Sequence, residues 1–296
     1  MYSWIGKLTA HERICKTLAR IFELLPKSVS LFFLTALAHL FYFCIPSLRK
    51  QIQRNMKDIL SDKSEKEIHQ ECRRYYVHLF VILSEIFFHT LQDKQLERFE
   101  VKGEGYLRQA LQEGKGAIVY TLHLGNFFYY YWYLSRRYPC LTVVTAGSPE
   151  LRPIYLLFQE MGCKGLDYDH TPPLALLREL RDHLQNNGVV FLLGDFWRPN
   201  FPKAHFFDRI TRTPQGTAVL AIEQQVPVIP FYGYRKQGYQ HELVFHPSLY
   251  LHEKYDKKQR EEATNELNRI LERIIKEQPS SWFYWFNVDE RWEKEP

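Results

Sequence analysis

Five cysteines in 296 residues, at 15, 44, 72, 140 and 163, form no Cys-x-x-Cys pair. Scatter of that kind fits neither a disulfide framework nor a zinc ribbon, and points to reduced thiols on the cytosolic side. The chain has no Gly-x-x-x-x-Gly-Lys-Ser/Thr loop to cradle nucleotide phosphates and no Gly-x-Ser-x-Gly elbow, which argues against a P-loop enzyme and a serine hydrolase. It also lacks His-Glu-x-x-His and His-x-x-x-His, so no metal is expected at the site. Zinc-finger and RNA-binding signatures are missing, and no nucleic-acid partner is expected. Internal repeats and low-complexity linkers are absent too.

Charge is missing locally. From Ser28 to Leu48, 21 residues carry no Lys, Arg, Asp or Glu, and Arg49, Lys50, Arg54 and Lys57 follow at once. The apolar run begins too late, and without a small-residue cleavage site, for a secretory signal. Its length is marginal for a membrane span of roughly 20 apolar residues. An apolar stretch beside a basic cluster suits anionic lipid, and a membrane-associating segment is expected over 1–48, with a buried core helix as the competing reading. Net charge of +5 and a sequence pI near 8.8 agree with an anionic surface or substrate. Aromatic residues make up 16% of the chain, and amphipathic rings serve lipid headgroups as well as cores.

The rest alternates between periods. Residues 12 to 25 are helical, Ser64 and Glu67 form a capping pair, and Glu71 to Leu91 forms a long amphipathic helix with Tyr75, Leu79, Ile82 and Ile86 on one face. Glu85 interrupts its apolar part, and if buried it needs a partner. Strands are expected at 117–122, 141–146, 188–193, 226–232 and 242–245, separated by helices at 127–134, 149–161, 174–186 and 215–224. Another helix ends near Lys276. This is an α/β fold with a mostly parallel central sheet flanked by helices, occupying residues 49–296 behind the N-terminal helical membrane-associating segment.

The central feature is Gly116-Ala-Ile-Val-Tyr-Thr-Leu-His123-Leu-Gly-Asn-Phe-Phe128. His123 closes a buried strand at a glycine corner, where open α/β sheets place their ligands, and imidazole is suited to act as a general base near neutral pH. A satisfied strand-end histidine is the plain alternative. Asp195 ends a later strand in the same way, and both could open onto one crevice; a loop cap is the alternative there. Arg152, Arg198, Arg209 and Arg212 could grip phosphate in forked geometry, or be scattered surface residues. Glu104 and Glu113 read as solvated loop acids. Tyr129, Tyr130 and Tyr131 are the polar groups nearest Phe128.

His123-Leu-Gly-Asn-Phe-Phe128 resembles the first motif of the lysophospholipid acyltransferase superfamily, and is most similar to the His-x-Gly-Asn-aromatic-Glu form of its lipid A late-acyltransferase branch. Over about residues 46–292 the order of further motifs is also similar. Gly147-Ser-Pro-Glu-Leu-Arg152 stands at the arginine loop. Leu193-Gly-Asp195, Phe206-Phe207 and Thr213-Pro-Gln-Gly-Thr217 resemble the central block, Val226-Pro-Val-Ile-Pro230 the fourth motif, and Pro279-Ser-Ser-Trp282 through Arg291-Trp292 the tryptophan-rich ending. The ending departs from the pattern, with Ser281 before its first tryptophan and Asn287 or Val288 in place of a histidine. The sharper departure is Phe128, which stands where the family has the acid that orients its histidine.

The resemblance implies an acyltransferase in which His123 draws the proton from a hydroxyl of a glycolipid or lysophospholipid. The acyl donor is a thioester of acyl carrier protein or coenzyme A, a co-substrate and not a bound cofactor. It further implies catalytic roles for His123 and Asp195, substrate contacts from Asn126, Arg152, Arg198 and Arg212, and a place on the cytoplasmic face of the inner membrane. Backbone N–H groups near Gly125-Asn126, or an arginine, would hold the oxyanion. Phe128 leaves two further readings open: an altered donor such as an aminoacyl group, or a non-catalytic protein that binds lipid or a partner. An acid within reach of His123 in an open groove separates the enzyme from the binder.

Overall fold

The computed structural model describes residues 26–88, 93–145 and 152–293. The helix expected over 12–25 and the loop 147–151 lie outside them, as does the side chain of Arg152.

Helix α1 (Lys27–Cys44) and helix α2 (Pro46–Ile59) meet at a bend of 92°, because Pro46 lacks the N–H that continuing α1 requires and instead opens α2. Ser30, Leu34, Ala38 and Tyr42, each four residues apart, form the buried stripe of α1. Its other face leaves Phe32 69%, Phe33 56%, Leu40 54% and Phe43 60% exposed. Among the described residues no single helix is long and apolar enough to cross a membrane. Helix α3 (Glu65–Phe88) starts at the expected capping pair, where the Ser64 N–H donates to Glu67 Oε2 at 2.8 Å and the Glu67 N–H reaches Ser64 Oγ at 3.4 Å.

Next come strand β1 (Phe99–Lys102), helix α4 (Glu104–Gln112), β2 (Ala117–Thr121), α5 (Phe127–Ser135), β3 (Cys140–Val144), α6 (Arg152–Glu160), β4 (Gly165–Asp167), α7 (Pro173–Gln185) and β5 (Val189–Leu193). A hairpin of β6 (Lys203–Phe206) and β7 (Arg209–Arg212) follows, then α8 (Gly216–Gln224), β8 (Val228–Arg235), β9 (His241–Phe245), the single turn α9 (Leu251–Lys254) and α10 (Arg260–Glu277). The chain ends in three 3₁₀ turns between Pro279 and Arg291. Seven strands form one sheet in the order β1-β9-β8-β2-β5-β3-β4, parallel at every pairing except β8 with β9.

Strand β2 is buried on both faces, which explains its unbroken apolar sequence. Ile118 and Tyr120 point into the core formed with α7, α8 and α10, and Ala117 and Val119 into the one formed with α4 and α5. The expected α/β architecture is therefore present. Four short strands and α4 were not foreseen, and Glu104 is no solvated loop acid. It stands in the first turn of α4, where it accepts hydrogen bonds from Arg108, Arg137 and Tyr138.

Candidate active site

Strands β2 and β5 are parallel neighbours with Thr121 opposite Leu193. Two residues beyond that last pair lie His123 on one strand and Asp195 on the other, so the register alone brings them level. The Gly194 N–H bonds the Thr121 carbonyl at 2.8 Å, and a Cβ at Gly194 would overlap the Tyr120 ring. Glycine is thus required for the chain after β5 to lie this close to β2. His123 Nδ1 is 2.7 Å from Asp195 Oδ1, and the His123 backbone N–H donates to the same carboxylate at 3.0 and 3.1 Å.

The chain terminus completes the pair. The Trp282 indole N–H donates to Asp195 Oδ2 at 2.8 Å, and Arg291 Nη2 donates to the Asp195 carbonyl at 3.1 Å. Burial alone would raise the Asp195 carboxyl, but the charge and hydrogen bond of His123, then Trp282 and Arg291, outweigh it and hold it below its ordinary value. An ionised Asp195 accepts from Nδ1–H, which leaves the lone pair on His123 Nε2. The His123 side chain is 16% exposed and that of Asp195 is 0%. A base with one face open and an orienting carboxylate wholly buried can take a proton from a hydroxyl brought to Nε2.

Main-chain bonds lock the terminal segment to the histidine corner: the Phe283 N–H donates to the His123 carbonyl, and the Gly125 N–H to the Ser281 carbonyl, both at 2.9 Å. Tyr284 comes with it, its hydroxyl 3.4 Å from His123 Nε2. Trp282, Tyr284 and Arg291 carried no individual role in the sequence reading. They sit in or between non-periodic 3₁₀ turns, and their only signal was the tryptophan-rich ending.

Behind the corner lies a second histidine–carboxylate pair. Glu85, fully buried, receives His241 Nε2 at 2.9 Å on one oxygen and Asn126 Nδ2 at 2.9 Å on the other. Burial opposes its charge, yet His241, Arg235 and Asn126 keep the carboxyl below its ordinary value. Burial, reinforced by Arg235, pushes nearby His78 down to about 3. Asn126 also caps α5, accepting from the Tyr129 N–H, while its own N–H donates to the Tyr130 hydroxyl at 3.1 Å. Gly125 turns here with φ +58°, and a Cβ would come within 2.3 Å of that hydroxyl. Asn126, expected to contact substrate, is 0% exposed and holds the turn from inside. The N–H groups of Gly125 and Asn126, expected to hold an oxyanion, are committed to Ser281 and Tyr130.

Phe128 packs against Phe127 and Phe158, with ring centroids 4.5 and 6.1 Å away. Tyr129, Tyr130 and Tyr131 are buried and bond elsewhere, so none replaces an acid at that position. Arg198 pairs with Asp169 and stacks over Tyr168 and Phe196, the latter ring 6.4 Å from His123. Arg212 pairs with Glu293 and the Phe201 carbonyl, and Arg209 with Asp58. The described arginines thus meet separate partners, and Arg198 stacks on a ring that contacts the histidine.

The sequence profile of bacterial lipid A biosynthesis acyltransferases matches residues 13–294. The chain belongs to that family. It is accordingly an acyltransferase, of a family that transfers acyl groups to lipid. No curated protein matches the chain in sequence. Among solved structures, the crystal structure of the 1-acyl-sn-glycerophosphate (LPA) acyltransferase from Thermotoga maritima is similar over 87% of this chain and 100% of that one, with 13% identity and a TM-score of 0.40. Within this acyltransferase, several of the motifs read from the sequence meet at the corner or beside it. Val226–Pro230 leads into β8 beside β2, Phe206 packs 6.1 Å from Trp282, and Asp195 supplies a carboxylate to the histidine where Phe128 does not.

Proposed function

We propose that His123 is the general base of an acyl transfer from a carrier thioester to a hydroxyl of a glycolipid or lysophospholipid, with Asp195 as its orienting acid. The observation that carries this reading is the 2.7 Å contact from His123 Nδ1 to a buried carboxylate. It favours an enzyme over a lipid-binding protein that has lost its dyad. His123 Nε2 accepts the hydroxyl proton as the acceptor oxygen bonds to the thioester carbon. The tetrahedral intermediate collapses with cleavage of the carbon–sulfur bond, and the proton passes from Nε2 to the departing thiolate. Bases of this kind contribute roughly 10²–10⁴-fold in rate. The N–H groups of Phe127 and Phe128, at the N-terminus of α5, are the donors we assign to the oxyanion.

The donor in this reading is a thioester of acyl carrier protein or coenzyme A, and the protein works on the cytoplasmic face of the inner membrane. The exposed apolar face of α1, beside the basic residues Lys50 and Arg54 of α2, supports membrane contact. The test is mass spectrometry of membrane lipids with and without the gene. Loss of one acylated glycolipid or phospholipid, with accumulation of its precursor lacking that chain, is expected; identical lipid profiles would contradict the proposal.

A further inference from the structure

A histidine held ready by a buried carboxylate can take a proton from water as well as from a lipid hydroxyl, and water attack would waste the thioester. The surroundings of His123 bear on this choice. Its ring is walled by Phe127 at 4.8 Å, Tyr284 at 4.9 Å and Phe196 at 6.4 Å between centroids. An ordered water needs two to four polar partners. The Tyr284 hydroxyl lies 3.4 Å from Nε2, and the other ring contacts of His123 among the described residues are with Phe127 and Phe196.

Tyr284 is held in this position. Its residue is 6% exposed, the neighbouring Phe283 N–H is bonded to the His123 carbonyl, and the Arg291 guanidinium lies 5.1 Å from its ring centroid. Arg291 is in turn fixed to the Asp195 carbonyl. The phenol and the orienting acid therefore both contact one arginine.

We propose that Tyr284 is a specificity-determining residue that selects a lipid hydroxyl over water. Its hydroxyl occupies the place at Nε2 that water would take, among the rings of Phe127, Phe196 and Tyr284 itself. A lipid hydroxyl is delivered by the binding of the rest of its molecule, at high effective concentration, and displaces the phenol. A single water has no such support. This inference rests on His123 being the base, and it adds a reason for the aromatic cup and for a tyrosine at 284.

The experiment compares wild type with Tyr284→Phe, Tyr284→Ala and His123→Ala, with melting temperatures recorded for each. Decanoyl-coenzyme A is the probe donor. Thiol release without acceptor measures hydrolysis, and its ratio to transfer onto a lysophospholipid is the readout. A second readout requires no turnover: the rate at which diethyl pyrocarbonate modifies His123, followed by peptide mass spectrometry. Tyr284→Phe is expected to raise the hydrolysis-to-transfer ratio several-fold and Tyr284→Ala about tenfold, with His123 modified faster in the same order. Folded Tyr284 variants with wild-type ratio and wild-type modification rate would overturn the proposal. If wild type does not turn over this thioester, the modification rate alone decides. Loss of both reactions in His123→Ala together with unchanged Tyr284 variants would remove only the role of Tyr284. Retained transfer in His123→Ala would remove the underlying reading as well.

Discussion

Replacing Asp195 by asparagine removes a charge and keeps the shape. The carboxylate accepts from His123 Nδ1 at 2.7 Å, from the His123 backbone N–H at 3.0 and 3.1 Å, and from the Trp282 indole at 2.8 Å. An amide has one accepting oxygen and one donating nitrogen. With its oxygen turned to Trp282, its NH₂ faces Nδ1, and the imidazole must carry its proton on Nε2, the wrong tautomer for a base. With its oxygen turned to Nδ1, two donors meet at Trp282. The first arrangement lowers turnover by roughly 10²–10⁴-fold, the range of general-base catalysis. The second leaves a buried donor unsatisfied at a cost of about 1–3 kcal/mol. The assay is turnover beside melting temperature for Asp195→Asn, repeated across pH. Because the Asp195 carboxyl is held below its ordinary 3.8, its contribution is fully present above pH 3.8 and is lost as pH falls through the lower folded value. The stability gap between wild type and variant should therefore narrow only in acid. An Asp195→Asn enzyme with wild-type turnover would refute the argument, since no tautomer control would then be needed.

Phe128→Glu restores the family's acid in sequence, but Asp195 already takes Nδ1, so turnover should stay equal or fall. Loss of the contacts with Phe127 and Phe158 should cost about 0.5–1.5 kcal/mol, partly offset by a negative charge at the start of α5; a faster enzyme with unchanged melting temperature would show the dyad was merely broken. Glu85→Ala strands His241 and the Asn126 amide in the core and should destabilise by about 3–5 kcal/mol in denaturant unfolding. Against Glu85→Gln, the wild-type advantage should be full above pH 4.5, the ordinary value of this carboxyl, and shrink as pH falls through the lower folded value. The double change Phe33→Glu with Leu40→Glu alters exposed positions of α1, and should weaken sedimentation with anionic vesicles while leaving the melting temperature within a few degrees.

What could be read from the sequence was local. An unbroken apolar run ending in His123, and another ending in Gly194-Asp195, each announce a buried strand with a polar residue at its carboxyl end. Glu85 stood out as an acid in an apolar helix that, if buried rather than facing solvent, needs a partner, and the fold buries it. The partners themselves are long-range. Asp195 reaches His123 because β5, third of the five strands expected in sequence, inserts beside β2 in the register Thr121 to Leu193. That neighbour relation leaves no periodic trace. His241 is a lone histidine opening a strand, and Trp282, Tyr284 and Arg291 lie in turns where neither 2.0 nor 3.6 spacing applies. The partners of the arginines are long-range as well: residue type suggests a phosphate grip, and only the fold places Arg212 beside Glu293 and Arg198 beside Asp169. Short strands such as β4 and the β6–β7 hairpin carry too few residues to show alternation.

The most direct test of the central claim is the transfer rate of purified His123→Ala with the donor and acceptor that lipid analysis identifies. His123 is partly exposed, and in the variant the buried Asp195 carboxylate keeps its bonds to the backbone N–H of residue 123 and to Trp282, so the protein should fold with a loss of about 1–3 kcal/mol. The account predicts a folded protein whose transfer has fallen to background. A folded His123→Ala enzyme with near-normal turnover would contradict it.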